Sequence, residues 1–146
     1  MIDARQSYLQ RIVRAGLEAL GHPEAAANSV HFAYEMVSLS AATARQLGQA
    51  VGEEEGRSVE MSGRKGIGVK ADDLLDRLVE KAREQVAQRH RDLPRPELQR
   101  LAEQIAAAAL RFFMAKATTS RVIVFDLDEA LAFEGETGPY LQYSLV

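Results

Sequence analysis

Glu60-Met61-Ser62-Gly63-Arg64-Lys65-Gly66-Ile67-Gly68-Val69 is the stretch on which the reading of this chain turns. Three glycines, two adjacent cations and a serine share ten residues that carry little apolar content. Before it lies the acidic run Gly52-Glu53-Glu54-Glu55-Gly56, and after it a helical pattern begins near Asp72. Such a segment cannot pack into a core. Its backbone N–H groups are poorly shielded, and Arg64 and Lys65 add positive charge, so it suits the grip of an anion, above all a phosphate. The same composition also suits a surface hairpin, with glycine for the turn and cations for solubility. Two phosphate motifs fail on the residues. A Walker loop needs Gly, four residues, then Gly-Lys-Ser/Thr, whereas Lys65 is followed by Gly66. Gly66-x-Gly68-x-x-Ala71 fits the loose dinucleotide pattern, but no buried strand precedes it, and about 20 residues on stands Arg91 instead of an acid.

Working outward, the 146 residues make one domain's worth of chain, with 47% hydrophobic and 27% charged residues, as expected of a soluble globular protein. No apolar run reaches the roughly 20 residues of a membrane span. No cysteine is present, which excludes disulfide and thiolate chemistry and suits the cytoplasm. With 18 basic and 21 acidic residues the formal charge is −3, so any nucleic-acid contact must use a local basic patch. His22, His31 and His90 are too scattered for a metal site.

Periodicity predicts helices over about 5–20, 72–90, 96–116, 127–133 and 139–145, with boundaries good to about 2–4 residues. Shorter helical segments are expected at Glu24 to Asn28 and, capped by Ser40, through about Leu47. Strands are expected over Val30 to Val37 and over the apolar run Val122-Ile123-Val124-Phe125, read as buried. Asp3 with Gln6 reads as a capping box at the first helix. Asp72 reads as the cap of the first long helix, and Asp126 with Glu129 as another capped start. Asp126 and Asp128 can be read as a metal pair, but capping and surface charge explain them more simply. His31 is expected to be a hydrogen-bonded structural histidine. Residues 58–68 and 48–56, rich in glycine and poor in apolar anchors, are expected to be the most mobile.

Met61-Ser62-Gly63-Arg64-Lys65-Gly66 resembles the mobile signature loop of class I aminoacyl-tRNA synthetases, in the Met-Ser-x-Arg-Lys-Gly form of arginyl-tRNA synthetases. Val69 to Asp76, with Asp72-Asp73-Leu74-Leu75-Asp76, is similar to the same family. So are Phe133-Glu134-Gly135-Glu136-Thr137-Gly138-Pro139-Tyr140-Leu141-Gln142-Tyr143 and Asp3-Ala4-Arg5-Gln6. The matches come in the family's order and span nearly the whole chain. The resemblance implies an α/β, mostly helical fold: part of a Rossmann-like nucleotide-binding catalytic domain with the helices that follow it. It implies an arginine–tRNA ligase that activates arginine with ATP, taken with Mg2+, and passes the arginyl group to tRNA in the cytoplasm. It gives Ser62, Arg64 and Lys65 the stabilisation of the pyrophosphate. It places Met36, Val37 and Met61 beside the nucleotide and gives Gln6 the closure over arginine, an alternative to capping.

Two departures stand out. The family's loop has lysines at its first and fourth positions, which here are Glu60 and Gly63. No His-x-Gly-His, the family's other ATP-gripping signature, occurs. The expectation is therefore a fragment: residues 1–71 as the C-terminal half of the catalytic domain, including loop 60–68, and residues 72–146 as a helical region leading toward an absent anticodon-binding domain. Alone it is expected to be inactive. The competing reading is a non-catalytic module that binds nucleotide or tRNA, or that associates with itself or with a complementary synthetase fragment.

Overall fold

The computed structural model describes residues 1–49, 51, 58–59, 68–132 and 134–144. They form two compact units, one of Met1–Met36 with Thr118–Ile123, the other of Val37–Ala117 with Val124–Val146.

In the first unit, strand β1 (Ile2–Asp3) runs parallel to β2 (Ala33–Tyr34), with Ile2 opposite Ala33 and Asp3 opposite Tyr34. A 3-10 turn (Ala4–Gln6) leads into α1 (Ser7–Ala19), and α2 (Pro23–Ala27) follows. Asp3 starts the turn as expected, accepting the Arg5 N–H at 2.7 Å. Gln6 occupies the N-cap position of α1 but makes no capping bond, so the predicted capping box is only half realised. Gly21 ends this helical stretch at φ +83°, a conformation that glycine adopts without cost. His31 Nε2 lies 3.1 Å from the Ile2 carbonyl oxygen, the structural bond expected of it.

The single strand expected over Val30 to Val37 is instead two. Tyr34 still pairs with β1, but the Glu35 N–H donates to Thr119 O (2.8 Å), and Met36 O accepts from Ile123 N (3.0 Å). The ladder partner changes at this point, so the strand breaks and a second one, β3, starts at Val37 and runs to Ser40. Side-chain alternation alone cannot reveal a change of partner.

In the second unit β3 is central. On one side it pairs antiparallel with β4 (Ser58–Val59), which was not expected, and on the other lies β5 (Ile123–Phe125). The helices are α3 (Ala41–Gln46), α4 (Ala71–Arg89), α5 (Arg95–Ala115), α6 (Leu127–Ala130) and α7 (Gly138–Tyr143). The long helices begin and end within a residue of expectation. The cap of α4 is Lys70, however, and Asp72 and Asp73 fall inside its first turn, where negative charge favours the helix dipole. The fourth predicted helix stops at Ala130, short of residue 133. The apolar run before it is not uniformly buried: Val122 is 53% exposed and Val124 39%, while Phe125 is fully buried. A short run of Val, Ile and Phe says nothing about which face of a strand is covered.

The core of this unit is built from Leu78, Ala82 and Val86 of α4, Ala102, Ala106, Ala109 and Phe113 of α5, and Phe125, Leu127 and Leu131. Small residues along α5 let α7 come close. A Cβ placed on Gly138 would lie 2.8 Å from Ala109 Cα and 3.1 Å from Ala109 N, both backbone atoms that no rotamer change can move. Gly138→Ala is expected to destabilise the chain by about 1–3 kcal/mol, as overpacking does. Urea unfolding would measure this, and an unchanged midpoint would contradict the close α5–α7 approach.

Candidate functional site

The chemistry-bearing loop lies largely outside the described residues. Met61, Ser62, Arg64 and Lys65 are among those not described, as are the segments predicted to be most mobile, except for Gly48, Gln49, Val51, Ser58, Val59 and Gly68. What the structure describes are the two roots of the loop, both in the second unit. The first is β4, held by the pairs Leu39 with Val59 and Ser40 with Ser58, and Val59 is buried. The second is the start of α4, whose inward face is set by Leu78 and Ala82.

The strand that carries the first root is tied down by a polar cluster. Ser40 Oγ accepts the Thr43 N–H at 3.0 Å and so caps α3, and it donates to Asp126 Oδ2 at 2.5 Å. Thr43 is fully buried, and its Oγ1 accepts the Leu127 N–H at 2.9 Å. Asp126 Oδ1 accepts the N–H groups of Asp128 and Glu129, both at 2.9 Å, capping α6 as its sequence predicts. The ends of β3 and β5 and the starts of α3 and α6 thus share one hydrogen-bonded set. Sequence reading marked Ser40 and Asp126 as separate caps, and nothing local shows that they bond to each other or that Thr43 joins them. Thr43→Val keeps the shape but removes the acceptor for a buried N–H. It is expected to cost about 1–3 kcal/mol in unfolding free energy, measured by urea denaturation. No change would contradict the cluster.

Asp128, next in this group, accepts from Lys81 of α4 and from Gln46 Nε2 of α3 (3.1 Å). The hydrogen bond from the Lys81 ammonium holds its carboxyl below the ordinary carboxylate value; burial opposes this, and the Gln46 bond and the Lys81 charge add smaller lowering effects. A depressed folded value stabilises the fold above the ordinary carboxylate pKa, and that contribution is lost as pH falls through the depressed value. Because the Asp128 side chain is 64% exposed, screening keeps the effect of Asp128→Asn to at most about 1 kcal/mol near neutral pH. The difference from the parent chain should vanish on acidification, and a gap that persists in acid would contradict this origin.

A cavity of about 650 Å³ opens beside these residues, lined by Gln46, Asp73, Asp76, Arg77, Glu80 and Arg83 among others. Three carboxylates, Asp73, Asp76 and Glu80, share its wall with two guanidinium groups, Arg77 and Arg83. No group of three or more His, Asp or Glu that could hold a metal ion occurs among the described residues.

The remaining predicted residues lie elsewhere. Gln6 is half-buried at the start of α1, and Met36 is half-buried at the end of its segment, both in the first unit. Val37 begins β3 in the second unit and is 44% exposed. No bond joins Gln6 to Met36 among the described residues.

Two mostly helical units with small sheets make this a partial α/β region, as expected from the sequence. A solved structure, the arginyl-tRNA synthetase of Thermus thermophilus, superimposes with a TM-score of 0.67 and 37% identity, over 97% of this chain and 20% of that one. Among curated proteins, an arginine–tRNA ligase of Thermus thermophilus is 40% identical over 144 residues, covering 99% of this chain and 21% of the ligase. That of Deinococcus radiodurans is 36% identical and that of Thermococcus kodakarensis 34%, again over essentially all of this chain and 21% and 20% of theirs. No family model matches. The chain is therefore a homologue of one stretch of arginine–tRNA ligases, and it spans about a fifth of the length of the curated relatives it matches. No helix among the described residues is long and apolar enough to cross a membrane.

Proposed function

We propose that this chain is the signature-loop stretch of an arginine–tRNA ligase. In the intact enzyme the arginine carboxylate attacks the α-phosphate of ATP, pyrophosphate leaves, and the arginyl group then passes to tRNA. The protein's task in such a reaction is positioning and charge stabilisation. Ser62, Arg64 and Lys65 stabilise the departing pyrophosphate, Met61, Met36 and Val37 lie beside the nucleotide, and Gln6 closes over arginine. Mg2+ accompanies ATP, and the setting is the cytoplasm. The observation that carries this reading is an identity of up to 40% with arginine–tRNA ligases along 99% of the chain, with Met61-Ser62-Gly63-Arg64-Lys65-Gly66 inside it. Calorimetric titration with inorganic pyrophosphate tests it. Arg64→Ala and Lys65→Ala are each expected to weaken binding about tenfold or more, the loss typical of a charge-assisted hydrogen bond. Equal affinity in parent and variants would remove these residues from the role.

A second reading, an association module, is favoured by one observation. Helix α1 buries none of its residues, and its apolar stripe of Tyr8, Leu9, Ile12 and Val13 is about half exposed or more. Val30 and Phe32 in the same unit are exposed too. A patch of this kind marks a surface that another polypeptide covers. The partner is a polypeptide supplying other parts of the ligase fold, or a second copy of this chain.

A further inference from the structure

We infer that the turn end of the α4–α5 hairpin is a contact surface for the phosphate backbone of RNA. This rests on the reading of the chain as part of a tRNA ligase and adds to it the residues that meet the RNA. The two helices pack on each other, and their charges are divided by position. Toward the root of α4, Asp72, Asp73, Asp76 and Glu80 outnumber Arg77 and Lys81. Around the turn, from Arg83 to Arg100, five arginines face three acids, Glu84, Asp92 and Glu97. In a chain of formal charge −3, this is an end that a polyanion can approach.

The cations at the two ends are also used differently. At the root, Arg77 pairs with Glu80, and Lys81 with Asp128. At the turn, the guanidinium groups of Arg83, Arg91, Arg95 and Arg100 have neither an ion-pair nor a hydrogen-bond partner among the described residues, and all four residues are exposed. Arg89 is engaged, donating to Gln85 O at 3.0 Å. A groove of about 670 Å³ lies here, lined by Arg83 and Arg95, by one carboxylate, Glu84, and by Ala87, Leu98 and Gln99 among others. Planar guanidinium forks suit phosphate oxygens, and Pro94 and Pro96 restrict the backbone that carries Arg95. No large apolar side chain is exposed between residues 83 and 100, so the surface lacks the apolar face with which a helix enters a lipid interface. RNA fits this pattern better than an anionic membrane.

The test is binding of an arginine-accepting tRNA transcript to the chain, followed by fluorescence anisotropy at several salt concentrations. Arg83→Ala/Arg91→Ala/Arg95→Ala is expected to weaken binding by about tenfold or more near 0.1 M salt and to lower the salt slope by about 2–3, roughly one for each phosphate no longer neutralised. Arg11→Ala/Arg121→Ala, which removes as many as two cations that do not belong to the hairpin, is expected to leave affinity within about twofold. Unchanged circular dichroism shows that the exposed substitutions leave the helices intact. If the parent chain binds tRNA and the triple variant binds it equally with the same slope, the surface assignment is overturned while the ligase reading stands. Equal losses in both variants would also overturn it, since binding would then follow charge alone. A parent chain that binds no tRNA overturns the assignment together with the tRNA-binding part of the reading on which it rests.

Discussion

Phe125→Ala is expected to cost about 3–5 kcal/mol of unfolding free energy, the range for deleting a buried aromatic ring. Phe125 is fully buried and meets Phe113 of α5 edge-on, with ring centroids 4.9 Å apart and planes at 69°. Its removal forfeits apolar burial, an aromatic pair worth about 0.5–1.5 kcal/mol, and the packing at the end of β5 where Leu127 and Asp126 begin α6. A total stability of about 5–15 kcal/mol is typical, so this one change leaves the chain marginal. Val122→Ala is the paired control. Val122 is more than half exposed, and its loss should stay within about 0.5 kcal/mol. Urea midpoints for the two variants give the comparison. Equal effects would mean that the apolar run is buried throughout, contrary to the structure.

Leu9→Asp with Ile12→Asp is expected to abolish association while leaving the fold intact. Both side chains are about half exposed, so charging them removes little internal packing. Buried at the centre of an interface, each would leave a desolvated carboxylate without a partner, and an anchor removed in this way weakens binding by about 100-fold or more. Light scattering of the chain alone, then with a polypeptide supplying the preceding part of a ligase catalytic domain, measures this. The parent chain should form a complex or self-associate at micromolar concentration, and the double variant should stay monomeric. A parent chain that stays monomeric in both experiments would contradict the association reading, and a double variant that associates as the parent does would remove α1 from it.

Much of this structure was legible because long amphipathic helices announce themselves. The stripes of α4 and α5 place Leu78, Ala82, Val86, Ala102, Ala109 and Phe113 inward as their spacing requires. Helix α1 carries an equally clear stripe, yet its apolar face points outward. Periodicity shows that a face is apolar, not what covers it. The short strands were harder. β4 has two residues, too few for any pattern, and β2 and β3 read as one strand until the change of hydrogen-bond partner at Glu35 is known. The site shows the same division. Composition marks Ser62, Arg64 and Lys65 through the local density of glycine and charge. The bond between Ser40 and Asp126 spans 86 positions and leaves no local trace. Lys116 belongs with it: its Nζ lies 4.4 Å from the centre of the Phe113 ring and 3.1 Å from Glu129 Oε1, an arrangement visible only once α5 and α6 are side by side.

Under the proposed function, this stretch grips the phosphates of ATP for arginine activation and needs the rest of the catalytic domain to do so. Arginine-dependent ATP–pyrophosphate exchange tests it most directly, run on the chain alone and then with a polypeptide carrying the His-x-Gly-His part of a ligase. No exchange is expected from either polypeptide alone. Mixing them should restore it, and Lys65→Ala in this chain should reduce it about tenfold or more, as removing a charge that stabilises the transition state does. Exchange by the chain alone that disappears in Lys65→Ala would contradict the need for a partner, and restored exchange indifferent to Lys65 would contradict the role of the loop.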